Sequence, residues 1–222
     1  MNIKWFGQTC FKITTFKEKN HPVILLIDPP EKESGIRSPK LEADILLFTS
    51  LSLYKEKKNL LKESSKEDNC FPITGPGEYE IKGVYIQGIP AESKKPGDKK
   101  KEKETIYTIE NEGIKICHLG KIKQTELTPE ELERIGEVDI LMVPIGGNES
   151  IDAKGAIKLM SQIEPKITIP MYYQIPKIKK KLGTLKNFLK NLGLEELEPV
   201  SKLSIKQKDI PKEEAKIIVL EP

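Results

Sequence analysis

The order of the short apolar runs is the feature that most limits what this chain can fold into. As far as His118 those runs are too short for stable helices and rich in β-branched or aromatic residues: Ile3–Phe6, Cys10–Thr15, Val23–Ile27, Glu78–Ile81, Val84–Ile89, Ile106–Glu110 and Ile114–His118 each read as a strand. Gly7, Asn20 and Pro29–Pro30 punctuate them, and Gly77, Gly83 and Gly113 mark turns where a positive φ costs little. Ala43–Thr49 is a continuous apolar run, the pattern of a strand covered on both faces. The polar stretch Tyr54–Asn69 predicts a helix and loop with Leu60 and Leu61 as its apolar contacts.

Beyond His118 strands and helices alternate. Thr128-Pro129-Glu130-Glu131 is a helix start, with Thr128 as N-cap, Pro129 in the first position and Glu131 placed to close a capping box, and it predicts a helix to about Ile135. Asp139–Pro144 reads as a buried strand. Asp152–Ile163 carries apolar residues at helical spacing (Ala153, Ala156, Ile157, Leu159, Met160, Ile163). Lys166–Met171 follows as a strand, Leu182–Leu192 as a helix closed by Gly193, and Ala215–Leu220 as a last strand. Strands first and alternation second predict an α/β (α+β) four-layer arrangement, two packed sheets with helices outside.

A length of 222 residues suits a single domain over 1–222. With 37% hydrophobic and 32% charged residues and no apolar window long enough to span a bilayer, a cytoplasmic protein with no membrane partner is expected. The 37 basic and 34 acidic side chains are interspersed, and the basic ones are almost all Lys, with Arg37 and Arg134 the exceptions, which argues against bidentate reading of guanine and so against a nucleic acid partner. The Lys-rich loop 94–104 cannot bury an apolar face and, diluted by acidic residues and without aromatic side chains for stacking, reads as a solvated segment. Cys10, Cys70 and Cys117 show neither a disulfide framework nor zinc-ligand spacing.

The segments Ile3–Phe11, Leu26–Pro29, Ala43–Thr49, Gly75–Glu80, Gly83–Ala91, His118–Gly120, Val138–Gly147 and Ile169–Met171 occur in an order and spacing that resemble the metallo-β-lactamase superfamily. Within it they are similar to the compact bacterial and archaeal hydrolases related to the ascorbate-phosphate lactonase. The resemblance covers nearly the whole chain and implies an αββα metallo-β-lactamase-like sandwich. In that family a T-H-x-H-x-D-H run, further histidines and an aspartate hold two metal ions at the strand ends. Here the run after Thr49 is Ser50-Leu51-Ser52-Leu53-Tyr54-Lys55. The next histidine position falls near Ser93, the bridging aspartate is replaced by Lys121, the late histidine by Tyr172, and Gln8 departs from the usual G-H-S-C.

The chain has two histidines in all. His21 sits in a polar turn and His118 ends a strand, where a hydrogen-bonded structural role outweighs a catalytic one. Asp28, in the Ile27-Asp28-Pro29 element, either caps the following turn or faces the site. The implied cleft comprises Gln8, Asp28, Ser50, Ser52, Tyr54, Ser93, His118, Lys121 and Tyr172, with no metal ligand, other cofactor or catalytic residue assigned. Three readings follow, in order. The first is a metal-free pseudoenzyme, a non-catalytic binding or assembly protein. The second is a metal-independent hydrolase or other enzyme using Lys121, Tyr172, His118 or Asp28. The third is a polyanion-binding protein acting through the Lys-rich loop. A small anionic ligand in the cleft and a homo-oligomer are compatible partners. The sharpest expectation is that Lys121 replaces metal charge by reaching Asp28 or an anion, with Ser50, Ser52 and Tyr172 supplying hydroxyls.

Overall fold

The computed structural model describes residues 1–18, 21–30, 35–36, 42–56, 70–92, 103–176 and 178–222. Among them are two mixed sheets. In the first, Leu203–Ser204 (β12) lies beside Asn2–Trp5 (β1), followed by Phe11–Glu18 (β2), His21–Ile27 (β3), Ile45–Leu47 (β4) and Phe71–Ile73 (β5). In the second, Lys216–Ile217 (β13) is followed by Ile167–Met171 (β11), Ile140–Pro144 (β10), Ile114–His118 (β9), Lys103–Asn111 (β8), Val84–Glu92 (β7) and Gly77–Ile81 (β6). Strands β3, β4 and β5 run parallel, as do β9, β10, β11 and β13. The other pairs are antiparallel.

Side-chain alternation puts the core between the sheets. Leu25, Ile27, Ile45 and Leu47 point inward with Ile86, Ile109, Ile116 and Met142 of the facing sheet. On the outer face Leu26, Leu46 and Phe48 join Cys10 and Leu53, so the turn of helix over 51–56 (α1) covers that side. The unbroken apolar run of β4 therefore reflects burial on both faces.

Helices cover the second sheet. Pro129–Ile135 (α2) packs on β7, and Ala153–Ile163 (α3) on β10 and on Leu185–Asn191 (α4). The capping box of α2 is complete: Thr128 Oγ1 accepts from Glu131 N (3.2 Å) and Glu131 Oε2 from Thr128 N (2.7 Å). Asp152 caps α3 through Gly155 N. These layers form the αββα sandwich. No helix among the described residues is long and apolar enough to cross a membrane.

Two expectations are corrected, and two short strands had no sequence signal. The last helix begins at Leu185 rather than Leu182, because Thr184 is extended and caps it, its Oγ1 accepting from Asn187 N at 3.2 Å. The two-residue β12 and the three-residue Phe71-Pro72-Ile73 of β5 carry too few residues to show a period. The Lys-rich loop does not reach Glu104. Strand β8 starts at Lys103, Glu104 is buried, and Thr105 N donates to Thr49 O at 2.7 Å. Residues 94–102, Leu60 and Leu61 lie outside the described residues.

Candidate functional site

The parallel strands of both sheets bring their carboxyl ends together, the place where open α/β sheets bind ligands. Strand β3 runs into Asp28, β4 into Thr49 and Ser50, β9 into Lys121, β10 into the turn that carries Glu149, and β11 into Tyr172. Close contacts join these ends. Asp28 Oδ1 accepts from Thr49 N (2.8 Å) and Oδ2 from Thr49 Oγ1 (2.6 Å). A Cβ on Gly120 would lie 2.8 Å from that of Thr49, so β9 reaches β4 only with glycine there. Tyr172 N donates to Gln8 O at 3.1 Å.

The charged part of the site gathers on Glu149. Lys180 Nζ lies 2.6 Å from Oε1, and Tyr172 OH donates to Oε2 at 3.1 Å, with Lys121 Nζ 3.8 Å from that oxygen. Burial alone would raise the Glu149 pKa. The Lys180 hydrogen bond and the charges of Lys121 and Lys180 outweigh it and hold the carboxyl below the ordinary range, ionised at neutral pH. At the end of β4, Ser50 Oγ lies 3.0 Å from Ser52 Oγ and accepts a long bond from Leu53 N at the start of α1. Ser50 also bridges to Glu104, which places that buried carboxylate's strand directly opposite it.

The backbone is strained in the same place. Among the described residues, seven non-glycine residues have positive φ. Lys82 and Glu112 precede Gly83 and Gly113 in tight hairpins, and Glu164 is a left-handed helix cap, all conformations that turns and caps require. Gln8 is central in the β1–β2 hairpin turn closed by Cys10 N donating to Gly7 O, and Asn148 in the turn closed by Ser150 N donating to Gly147 O, whereas Asp28 and Tyr172, at the ends of β3 and β11, belong to no hairpin or helix cap. Each costs on the order of 1–3 kcal/mol, and such residues cluster at functional sites.

The sequence-predicted residues divide accordingly. Lys121, Tyr172, Ser50 and Ser52 line the strand ends, and Gln8 joins them through its backbone. His118 lies beneath, fully buried, with Nε2 3.0 Å from Thr9 O and Nδ1 accepting from Gly120 N, so the proton sits on Nε2. Burial lowers its pKa and keeps it neutral. Asp28 bonds the neighbouring strand end rather than capping its own turn. Tyr54 packs edge-on against Phe48 at 5.4 Å and belongs to the outer core, not the cleft. Cys117 is buried beside His118 in sequence, and burial pushes its thiol up to about 12. Ser93 lies outside the described residues. The expected meeting of Lys121 with Asp28 is corrected, since the ammonium faces Glu149. Sequence reading missed Glu149, Lys180 and Glu104. For Glu149 a signal existed: it follows Gly146-Gly147-Asn148 just beyond a buried parallel strand, where ligand loops lie.

Residues 2–172 match the family described as the beta-lactamase superfamily domain. A UPF0173 metal-dependent hydrolase of Thermoplasma volcanium is 27% identical, covering 78% of this chain and 83% of its own length. One of Thermococcus onnurineus is 26% identical over 78% and 84%. The solved structure of a protein from Thermotoga maritima, assigned to the Zn-dependent hydrolases of the metallo-beta-lactamase superfamily, aligns with a TM-score of 0.72 at 28% identity, covering 99% of this chain and 97% of its own. These likenesses overturn the leading expectation of a non-catalytic, metal-free binding or assembly protein, because the relatives are hydrolases by name.

Proposed function

Because this chain belongs to the beta-lactamase superfamily, we propose that it is a hydrolase whose reaction takes place at the shared carboxyl ends of β3, β4, β9, β10 and β11. The observation that carries this reading is the pair of strained non-glycine residues, Asp28 and Tyr172, held at the ends of β3 and β11 among polar side chains that follow β4, β9 and β10. A cleft that had only been packed shut would have no reason to retain that strain.

The relatives are named metal-dependent hydrolases, and a bound metal needs several donor side chains that converge. Among the described residues no group of three or more His, Cys, Asp or Glu side chains converges. Asp28 is engaged by Thr49, and both His118 nitrogens are engaged inside the core. This donor set does not fit a binuclear centre. What the described residues supply is positive charge and hydroxyl donors. Lys121 and Tyr172 OH are placed to stabilise negative charge developing on a carbonyl or phosphoryl oxygen. Ser50 and Ser52 orient the substrate or the attacking water. Glu149 is a poor general base, since its carboxyl is held below the ordinary range.

The test is a panel of p-nitrophenyl carboxylic and phosphoric esters and a lactone, assayed with added zinc and manganese and after chelation. Turnover is expected in the wild type and falls about 100-fold in kcat/KM in Lys121→Met. Turnover that is absent under every condition, or identical in Lys121→Met, overturns the assignment.

A further inference from the structure

Glu149 has an unusual position for a side chain on a surface turn. Two ammonium groups and a phenolic hydroxyl converge on its one carboxylate, Lys121 from the segment after β9 and Tyr172 and Lys180 from the segment after β11. The donors differ in how firmly they are held. Tyr172 is 1% exposed, so its hydroxyl is fixed by the core. The Lys121 side chain is 20% exposed and Lys180 48%. The acceptor is the loose member: Glu149 has 43% of its side chain in solvent. The turn beneath it is fixed, with Ser150 N donating to Gly147 O (3.2 Å) and Ser150 Oγ to Ile151 O (3.1 Å). Vacating the position therefore needs only a change of Glu149 rotamer, with no backbone movement.

We infer that Glu149 occupies, as a tethered internal ligand, the seat for the anionic group of the substrate. On the hydrolase reading, on which this inference rests, the substrate class is a small molecule bearing a carboxylate or phosphate beside the bond to be cleaved. With Glu149 in place the seat carries two cations and one anion. With Glu149 swung out it presents two uncompensated ammonium groups and a hydroxyl donor, the donor set that an oxyanion with several acceptor oxygens satisfies. Phosphate, which carries more charge, is favoured over a carboxylate. The internal carboxylate also explains how two lysines lie close together in the substrate-free protein: each is neutralised by the same partner until a ligand replaces it.

Binding is read by calorimetry at low ionic strength on the full chain, with inorganic phosphate and with acetate as the probes, so turnover is not needed. Glu149→Ala is expected to bind phosphate at least about tenfold more tightly than the wild type, because competition and like-charge repulsion are removed together. Adding Lys121→Met to that variant abolishes the gain, and adding Tyr172→Phe reduces it a few fold. Acetate shows the same order with smaller ratios. Circular dichroism and Tm establish that each variant is folded. Should Glu149→Ala not fold, Glu149→Gln is read instead and gains about threefold, since the amide still fills the seat but carries no charge. Affinity unchanged or weakened on removing the carboxylate, or a gain that survives loss of Lys121, overturns the seat. Failure of the seat with Lys121-dependent turnover intact leaves the hydrolase standing, and phosphate seating with no turnover on any ester does the reverse.

Discussion

The two ends of strand β9 are built from similar residues and to different purposes. At its start, the β8–β9 turn holds Asn111 and Glu112 against Thr15 of the other sheet. Thr15 Oγ1 donates to Asn111 Oδ1 and lies 2.5 Å from Glu112 Oε1, while Phe16 N donates to Glu112 at 3.1 Å. These bonds tie one sheet to the other, and the positive φ of Glu112 and Gly113 is what a two-residue hairpin turn needs. At the other end, beyond His118, the polar groups gather on Glu149 in solvent, and the positive φ of Asp28 and Tyr172 belongs to residues that no hairpin or cap requires. A carboxylate that locks sheets together and a carboxylate that occupies a seat look alike in a list of ion pairs. Their neighbours' burial and the local backbone separate them.

Four substitutions break or sharpen this contrast. The largest effect is expected from Gly146→Ala. A Cβ at that position would lie 2.1 Å from the Tyr172 carbonyl oxygen, so the strained backbone of Tyr172 must move. A loss of about 3 kcal/mol in denaturant unfolding is expected, with turnover falling as well. Unchanged stability and turnover would show that the Tyr172 conformation is incidental. Next comes His118→Phe, which leaves the buried Thr9 carbonyl and Gly120 N–H without the imidazole and costs about 2 kcal/mol. Its Tm falls more than that of any exposed site variant.

Glu112→Gln probes the opposite end and costs on the order of 1 kcal/mol at neutral pH, with turnover unaffected. Burial alone would raise the Glu112 pKa. Hydrogen bonds from Thr15 and from the Met1 ammonium, and the charge of that ammonium, outweigh it and lower it. A depressed folded pKa means that the stabilisation is present above the unfolded carboxyl's ordinary value and disappears as pH falls through the folded one. Wild type and Glu112→Gln unfolding curves should therefore converge on acidification. Curves that stay equally far apart at every pH would refute the sign. The smallest effect is a gain: Glu164→Gly, at the exposed left-handed cap of α3, should stabilise by about 0.5 kcal/mol without touching turnover, because its strain has no function to serve.

Much of the scaffold was legible because it depends on near neighbours. Strand β9 was bounded correctly from its sequence, and so was α2, whose Thr128–Glu131 box is a contact over one turn. The site was legible only in part. Lys121, Tyr172 and Ser50 stand at strand ends that the resemblance located, yet the partner of Lys121 was misjudged. Tyr54 was assigned to the cleft because its position in the motif suggests it, whereas the helical turn over 51–56 directs its ring onto Phe48.

What the sequence determined by itself was the succession of strands and helices, their caps and turns, and the replacement of the histidine-rich run by hydroxyl and ammonium side chains. Those features rest on backbone period and on bonds between residues a few positions apart. Only the tertiary structure decided which charges meet. Lys121, Glu149, Tyr172 and Lys180 follow or lie beyond three different strands, and their convergence depends on the parallel register of β9, β10 and β11. A Coulombic or hydrogen-bonded contact is set by distance in space, and no local pattern in a chain encodes the distance between loops that strand packing alone brings together.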